Sequence, residues 1–487
     1  MPSTRRQWGI TLGLVILTGV ALLGVMRLTI DPSNERLFLR HSDAYRVYQR
    51  FLASFGSDET ILVALHDPMH SMLLPAGLAA VRALTQALKD TPHVSSVSSL
   101  TNARDMARLS ITPFGIAAPR LIARQELSAA QIAAIRTNDL LIGTLLSADL
   151  HTAGLLVVPE GTIAAPHVRR EWIAAVRLVA AQHAMHGRKT YVAGTPLERN
   201  DVTYYLRRDQ QLMVPLVFLL LLGITYRIYR VKRLACIPLG CVLLSLTWTM
   251  GIVGFAGIPL NLVTSLLPPV IMVVSVSAAI HLINQFITAR ESGAYGPAAV
   301  QQAMNQVGMA CWLTSLTTTM GFFSLLVSPV PAIREFAFFA GLGVLLAFGV
   351  TMTFVPLALL WSGHMPLERF AHLKQGCTER LLAWLIDWVA AHRRKIMAGT
   401  LLILAVLLAG IWHLREGTDI VRALKKHAPL RVSTEFIDRH LTGVNSLELM
   451  VRLPDTAKSF DPTFIRQVLA FSQWLRAQSG VTAVHSP

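Results

Sequence analysis

The sequence predicts a multi-pass α-helical membrane protein with external α+β domains. Three observations carry that prediction. The chain is 53% hydrophobic and 15% charged, with a mean hydropathy of +0.49, too little charge to cover a soluble protein of this size. Several apolar runs reach the length a bilayer requires. Basic residues gather in alternate loops between those runs. The net charge of +16 would point to nucleic acid in a soluble chain. Here its placement reads as topology, and no nucleic-acid partner is expected.

The spans fall at 8–26, 211–228, 234–255, 260–285, 308–328, 336–361 and 396–414, each near the ~20 residues that cross a bilayer core. The first lacks a small-x-small cleavage site and reads as an uncleaved span. Arg5 and Arg6 precede it. Arg227, Arg230, Lys232 and Arg233 fill the next basic turn, and segment 363–395 carries Arg369, Lys374, Arg380, Arg393, Arg394 and Lys395. The loop at 256–259 is uncharged, and the one near 329–335 has only Arg334 and Glu335. The expected topology therefore has a cytoplasmic N-terminus leading into the first span (1–26), a five-helix block (211–362), a seventh span (396–414), and outward segments at 27–210 and 415–487. The connector 363–395 includes a stretch, 366–392, that reads as an amphipathic surface helix anchored by Trp384 and Trp388. A solvated connector with one sticky face is the alternative. Cys236, Cys241 and Cys311 lie in predicted spans and Cys377 in the connector, which implies neither a disulfide scaffold nor a metal finger.

Segment 27–210 has soluble character. It predicts helix 42–55, strand 59–65, helix 75–89 and strand 94–98, then strand 152–158, helix 166–184 and strand 190–193. Two βαβ-type units suggest a split βαβ, ferredoxin-like domain. Segment 100–147 is less regular and reads as helical insertions.

The chain also resembles itself. SDETILVALHDP followed by a helix and HVSSVSSL is matched, after the seventh span, by GVNSLELMVRLPD, a helix and GVTAVHSP. Asp67 and Asp455 close equivalent strands, and 45–97 and 436–484 are of similar length. A tandem repeat is expected, with the second copy incomplete at Pro487. Half a ferredoxin-like unit has too little apolar surface to close a core, so the expectation is a fragment or a truncated or split gene.

In the fourth span, Pro268 and Pro269 cannot continue the helix ladder and predict a break near mid-membrane. Ser275, Ser277, His281 and Asn284 follow on the same span. The fifth carries Thr314, Ser315, Thr317, Thr318 and Thr319. Thr314 and Thr318 share a face at i, i+4, and Ser315 and Thr319 the adjacent one. Such hydroxyls either line a polar pathway or bond back to their own helix. No Asp or Glu lies within any span as drawn. His281 could relay a proton or serve as a helix-end residue; Asn284 reads as an interfacial hydrogen-bonding residue. In the external domain, His66 and His70 of HDPMH read as a loop in preference to a metal site. Arg120, Arg124 and Arg136 read as a solvated face. No Walker A, metal-ligand or nucleophile motif is present, so neither a cofactor nor an enzymatic activity is expected.

GIPLNLVTSLLPPVIMV (257–273), AIHLINQF (279–286), TSLTTTMGFFSLLVSPVPAIREFAFFAGLGV (314–344) and the tandem layout together resemble the RND superfamily of transporters, and within it the MMPL or predicted-exporter branch with its sterol-sensing-domain-like five-span block. The resemblance implies an RND-type tandem repeat in a bacterial inner membrane with periplasmic external domains. It implies hydrophobic or amphiphilic cargo, lipids among them, and membrane lipids as partners, with a homo-oligomer or a second half completing the machine. Relatives of this type carry GVDYxIHL or SDAIHL at the end of the fourth span, and the Asp is taken as the proton-coupling group. Matched on Ile280-His281-Leu282, that acid falls at Ser277 or Ala278, and neither can titrate. Coupling then resides in a second half, in His281, or nowhere. The alternative reading is a non-transporting lipid-sensing or scaffold protein, or a truncated inactive homologue.

Overall fold

The computed structural model describes residues 4–30, 43–55, 59–104, 110–112, 115–117, 120–122, 126–138, 141–161, 166–185, 187–361, 377–413, 421, 424–443, 449, 461–478, 481 and 484. In chain order the elements are α1 (Thr4–Val25), α2 (Asp43–Phe55), β1 (Ile61–His66), α3 (Pro75–Lys89), β2 (Val94–Ser99), β3 (Ser110–Thr112), β4 (Gly115–Ala117), α4 (Ala129–Arg136), β5 (Thr152–Pro159), α5 (Pro166–Gln182) and β6 (Lys189–Ala193). Then come α6 (Thr195–Tyr229), α7 (Lys232–Phe255), α8 (Leu267–Glu291), α9 (Pro297–Ser324), α10 (Pro331–Trp361), α11 (Cys377–Ile411), α12 (Pro429–His440) and α13 (Pro462–Arg476). They form two units: Met1–Ser42 with Thr203–Gly417, and Asp43–Val202 with Thr418–Pro487.

The first unit is helical. Seven helices among the described residues are long and apolar enough to cross a bilayer, the number the sequence predicts. In α7, α8 and α10 about half of the most apolar stretch is buried, against 17% in α9 and 11% in α1, so those three make the centre. Their shared core runs through Leu234, Ile237, Ala279, Ile283, Val350 and Val355. Small residues bring α1 onto α7: a Cβ at Gly24 would strike Gly251, and one at Gly254 would strike Gly24. Helices in lipid associate by such close backbone approach, because apolar tails give them no hydrophobic reason to do so. Trp248 Nε1 donates to Thr18 Oγ1 across the same contact at 3.1 Å.

Two sequence expectations change here. Pro268 and Pro269 do not break the fourth span; they occupy the first turn of α8, behind a 3-10 turn over Thr264–Leu266. A first-turn residue needs no N–H for the ladder, and a fixed φ suits helix initiation. Upstream, Asn261 Oδ1 accepts from the N–H groups of Val263 and Thr264, both at 2.9 Å, which turns the chain into the helix. The second change concerns the connector. Residues 362–376 lie outside the described residues, and 377–391 joins the seventh span as one long helix, α11, bent at His392 (φ −109, ψ 15). His392 Nδ1 lies 3.0 Å from the Trp388 carbonyl, the oxygen its own backbone N–H would otherwise take. Trp384 and Trp388 stack on one another at 6.2 Å on its exposed surface.

The second unit is built on a four-stranded sheet in the order β2-β5-β1-β6, every neighbouring pair antiparallel. β1 and β2 are joined through α3, and β5 and β6 through α5. Alternation along the strands sends Ile61, Val63, Leu65, Ala153, Leu155 and Val157, all fully buried, to one face. There they meet Leu78, Val81 and Leu84 of α3 and Trp172 and Val176 of α5. Segment 100–147, expected to be helical insertions, contains the β3–β4 ladder as well as α4.

Segment 415–487 was set apart by sequence as the start of another domain. In the structure α12 packs on the first domain's sheet, beside β6, with Leu430, Ile437 and Leu441 in the same core. The face it covers holds Ala64, His66, Thr152 and Tyr191, paired in register across the strands. An amphipathic helix without a core of its own needs such a cover. The strand copies within 444–455 and 480–487 fall largely outside the described residues.

Candidate functional site

On α8 two faces differ sharply. Leu267, Ile271, Ser275, Ala279, Leu282 and Phe286 are buried. Val273, Ser277, His281, Asn284 and Thr288 are exposed, and their spacing of four, four, three and four residues draws one stripe along the helix. Three of the predicted residues thus share the open face, while Ser275 points into the bundle and donates to its own Ile271 carbonyl at 2.7 Å. Asn284 Oδ1 accepts from Tyr229 Oη at 3.1 Å. Ser277, where the resemblance would put an acid, lies on the open stripe, and Ala278 is half-buried.

The hydroxyls of α9 divide the same way. Thr314 and Thr318 are exposed and bond back to Ala310 and Thr314 carbonyls at 2.9 and 2.7 Å; Thr317 does likewise to Leu313 at 2.9 Å. Ser315 and Thr319 face inward, and Thr319 donates across to the Gly341 carbonyl of α10 at 3.2 Å. So one i, i+4 pair packs helices together and the other stays open. The side-chain amides of Gln285 and Gln306 touch, which joins the open faces of α8 and α9.

Around the predicted Ser275 of α8, the bundle interior holds polar groups that sequence reading missed: Cys241, Ser245 and Thr249 on α7 and Thr351 on α10. Cys241 Sγ and Thr351 Oγ1 are 3.1 Å apart. Thr249 and Thr351 bond back to Ser245 and Ala347 carbonyls, each at 2.8 Å. The four-residue spacing on α7 was the available signal. Thiols and hydroxyls of this kind do not load a proton near neutrality. A carboxylate does approach the bundle at the helix ends: Glu335, in the second turn of α10, accepts from buried Asn261 Nδ2 at 3.3 Å.

In the second unit, His70 is exposed with Nδ1 3.5 Å from Asp67 Oδ1, and His66 Nδ1 lies 3.0 Å from Thr152 Oγ1. Burial opposes ionisation of Asp67, but the Met69 and His70 N–H groups and the Arg188 guanidinium hold its carboxyl below the usual range. No three His, Cys, Asp or Glu side chains group as metal ligands among the described residues. Arg120 and Arg136 are exposed; Arg124 lies outside the described residues.

A model of the MMPL family matches residues 40–408. The chain is 28% identical over 185 residues to "Putative membrane protein MJ1562" of Methanocaldococcus jannaschii, a match that covers 37% of this chain and 47% of that protein. It is 31% identical over 116 residues to NPC intracellular cholesterol transporter 1 of Sus scrofa, over 23% of this chain and 9% of that protein. The matched stretches span about half of one relative and about a tenth of the other.

Proposed function

The chain belongs to the MMPL family, and on that premise we propose that it is the N-terminal portion of an RND-type exporter that moves hydrophobic or amphiphilic molecules, lipids among them. The observation that carries the reading is the family match, which covers five of the seven candidate spans in full, most of a sixth, and most of the external segment. The similarity to a protein named as a cholesterol transporter supports a bilayer-resident cargo. The strand order of the external sheet supports a split βαβ, ferredoxin-like domain, and the repeated segment supports a tandem design. The N-terminus and connector lie on the cytoplasmic side of an inner membrane, and the external domains in the periplasm.

In this reading the open stripe of Ser277, His281 and Asn284, with Thr314 and Thr318 beside it, borders the cargo path. Polar groups at membrane depth belong against a wet cavity, a ligand or another helix; Asn284 meets Tyr229 of α6, while Ser277, His281, Thr314 and Thr318 are exposed among the described residues. Pro268 and Pro269 set where that path begins, by starting α8. The absence of an acid at Ser277 and Ala278 favours a second reading, a lipid-binding protein that does not pump.

Transport in proteoliposomes separates the two. The full chain, reconstituted with a fluorescent phospholipid in one leaflet, will move the probe between leaflets faster than protein-free vesicles do. Binding without movement would sink the exporter reading and leave the sensor.

A further inference from the structure

Where α12 lies on the sheet, histidines from distant parts of the chain meet. His66, at the end of β1, has its ring 5.1 Å from Phe436 and 5.7 Å from His440. His440 stacks on Phe436 at 4.0 Å, and Phe436 stacks on Tyr191 of β6 at 3.8 Å. His440 Nδ1 is 2.9 Å from the Phe436 carbonyl; because a carbonyl only accepts, that nitrogen carries hydrogen and Nε2 is left to take a proton. Leu430, Ile437 and Leu441 pack α12 into the core beside this ring stack.

We propose that α12 is a pH-released strap: when His66 and His440 are both protonated, their repulsion lifts helix Pro429–His440 from the sheet and uncovers the face of Ala64 and Tyr191. Two cations at 5.7 Å weaken the docked state on the order of tenfold, between the few-fold effect of bulk water and the roughly hundredfold effect at the dielectric of a protein surface. The other charged groups around the pair are Asp67 and His70 after β1, Asp149 and His151 before β5, Arg188 and Lys189 at β6, and Glu435 and Arg439 on α12. Asp149 resists the cost of burial through the Ser147 hydroxyl and the His151 N–H, which hold its carboxyl low, as Asp67 is held low. Both carboxylates therefore stay charged through mild acid. They temper the repulsion without changing it with pH.

The sign follows from His66. Burial first, then His440, lowers its pKa below the ordinary 6.5, so the docked state prefers the neutral ring. Docking is complete above pH ~6.5 and weakens as pH falls below it. Acid then loosens α12 before it loosens the sheet, whose inner core carries no titrating group.

Hydrogen exchange on the full chain in nanodiscs, corrected for chemical exchange rates, tests the strap. From pH 7.5 to 5.5, protection of 429–441 will fall on the order of tenfold while β5 (Thr152–Pro159) stays protected. His440→Gln will reduce the fall and His440→Gln with His66→Gln will abolish it, and Phe436→Ala will show the released pattern at both pH values. Unchanged protection of 429–441 in the unaltered chain would overturn the proposal. So would an equal fall in His440→Gln with β5 still protected, or loss of protection in β5 together with α12. The wild-type result stands whether or not any variant folds, and it does not depend on what the membrane block transports.

Discussion

Glu59→Ala will cost the second unit about 3–5 kcal/mol, the range for stripping one member from a buried ion cluster. Glu59 precedes β1 and is 2% exposed. Its Oε1 accepts from Arg169 of α5 at 2.7 Å and from Arg199 of α6 at 3.0 Å. The three residues tie the start of the sheet to the helix that closes β5 to β6 and to the one that follows β6. Removing the carboxylate leaves two guanidiniums facing each other with little water to spread their charge. Arg177→Ala provides the contrast. Its pair with Asp201 also joins α5 to α6, at 2.9 Å, but the arginine side chain is 38% exposed, and a solvated pair is worth under about 1 kcal/mol. Opening free energies of the β1 and β5 amides, measured by hydrogen exchange in the full chain, will separate the two. An effect of Glu59→Ala no larger than that of Arg177→Ala would contradict the reading.

Ser275→Asp and Ser277→Asp will behave as opposites, although they stand two residues apart. Ser275 is fully buried, with its carbonyl against Cys241 Sγ. A carboxylate there has no cation to pair with, and several kcal/mol of desolvation oppose it. Ser277 lies on the open stripe with His281 one turn further along, where a carboxylate is not enclosed by the apolar side chains of the bundle. Ser275→Asp will yield little monodisperse protein in detergent, whereas Ser277→Asp will fold with a midpoint within a few degrees of the parent. Equal tolerance at both positions would mean that the faces of α8 are wrongly assigned.

The elements were legible because each rests on a local signal. Spans follow from apolar runs longer than a core helix needs, and β1 and β5 from six or more strand-forming residues ended by Asp67-Pro68 and Pro159. What the sequence hid is the phase of helices that are apolar all round. Thr314/Thr318 and Ser315/Thr319 have the same spacing, and only packing against Gly341 decides that the second pair is inside. Pro268-Pro269 was ambiguous for a related reason: a proline pair can end a helix or begin one. The deciding groups, Asn261 and Thr264, lie upstream and act through hydrogen bonds to the backbone. The meeting of His66 with His440 joins residues hundreds of positions apart, and no periodicity encodes it.

The most direct test of the central claim, that cargo runs along the open faces of α8 and α9, is photolabelling of the full chain in nanodiscs with a diazirine-bearing phospholipid, mapped by peptide mass spectrometry. The account predicts adducts concentrated on 273–288 and 305–318, displaced by excess unlabelled lipid and lowered when Ser277 and Thr314 are replaced by leucine. Labelling spread evenly over every exposed span, undiminished by competitor and by those substitutions, would contradict it.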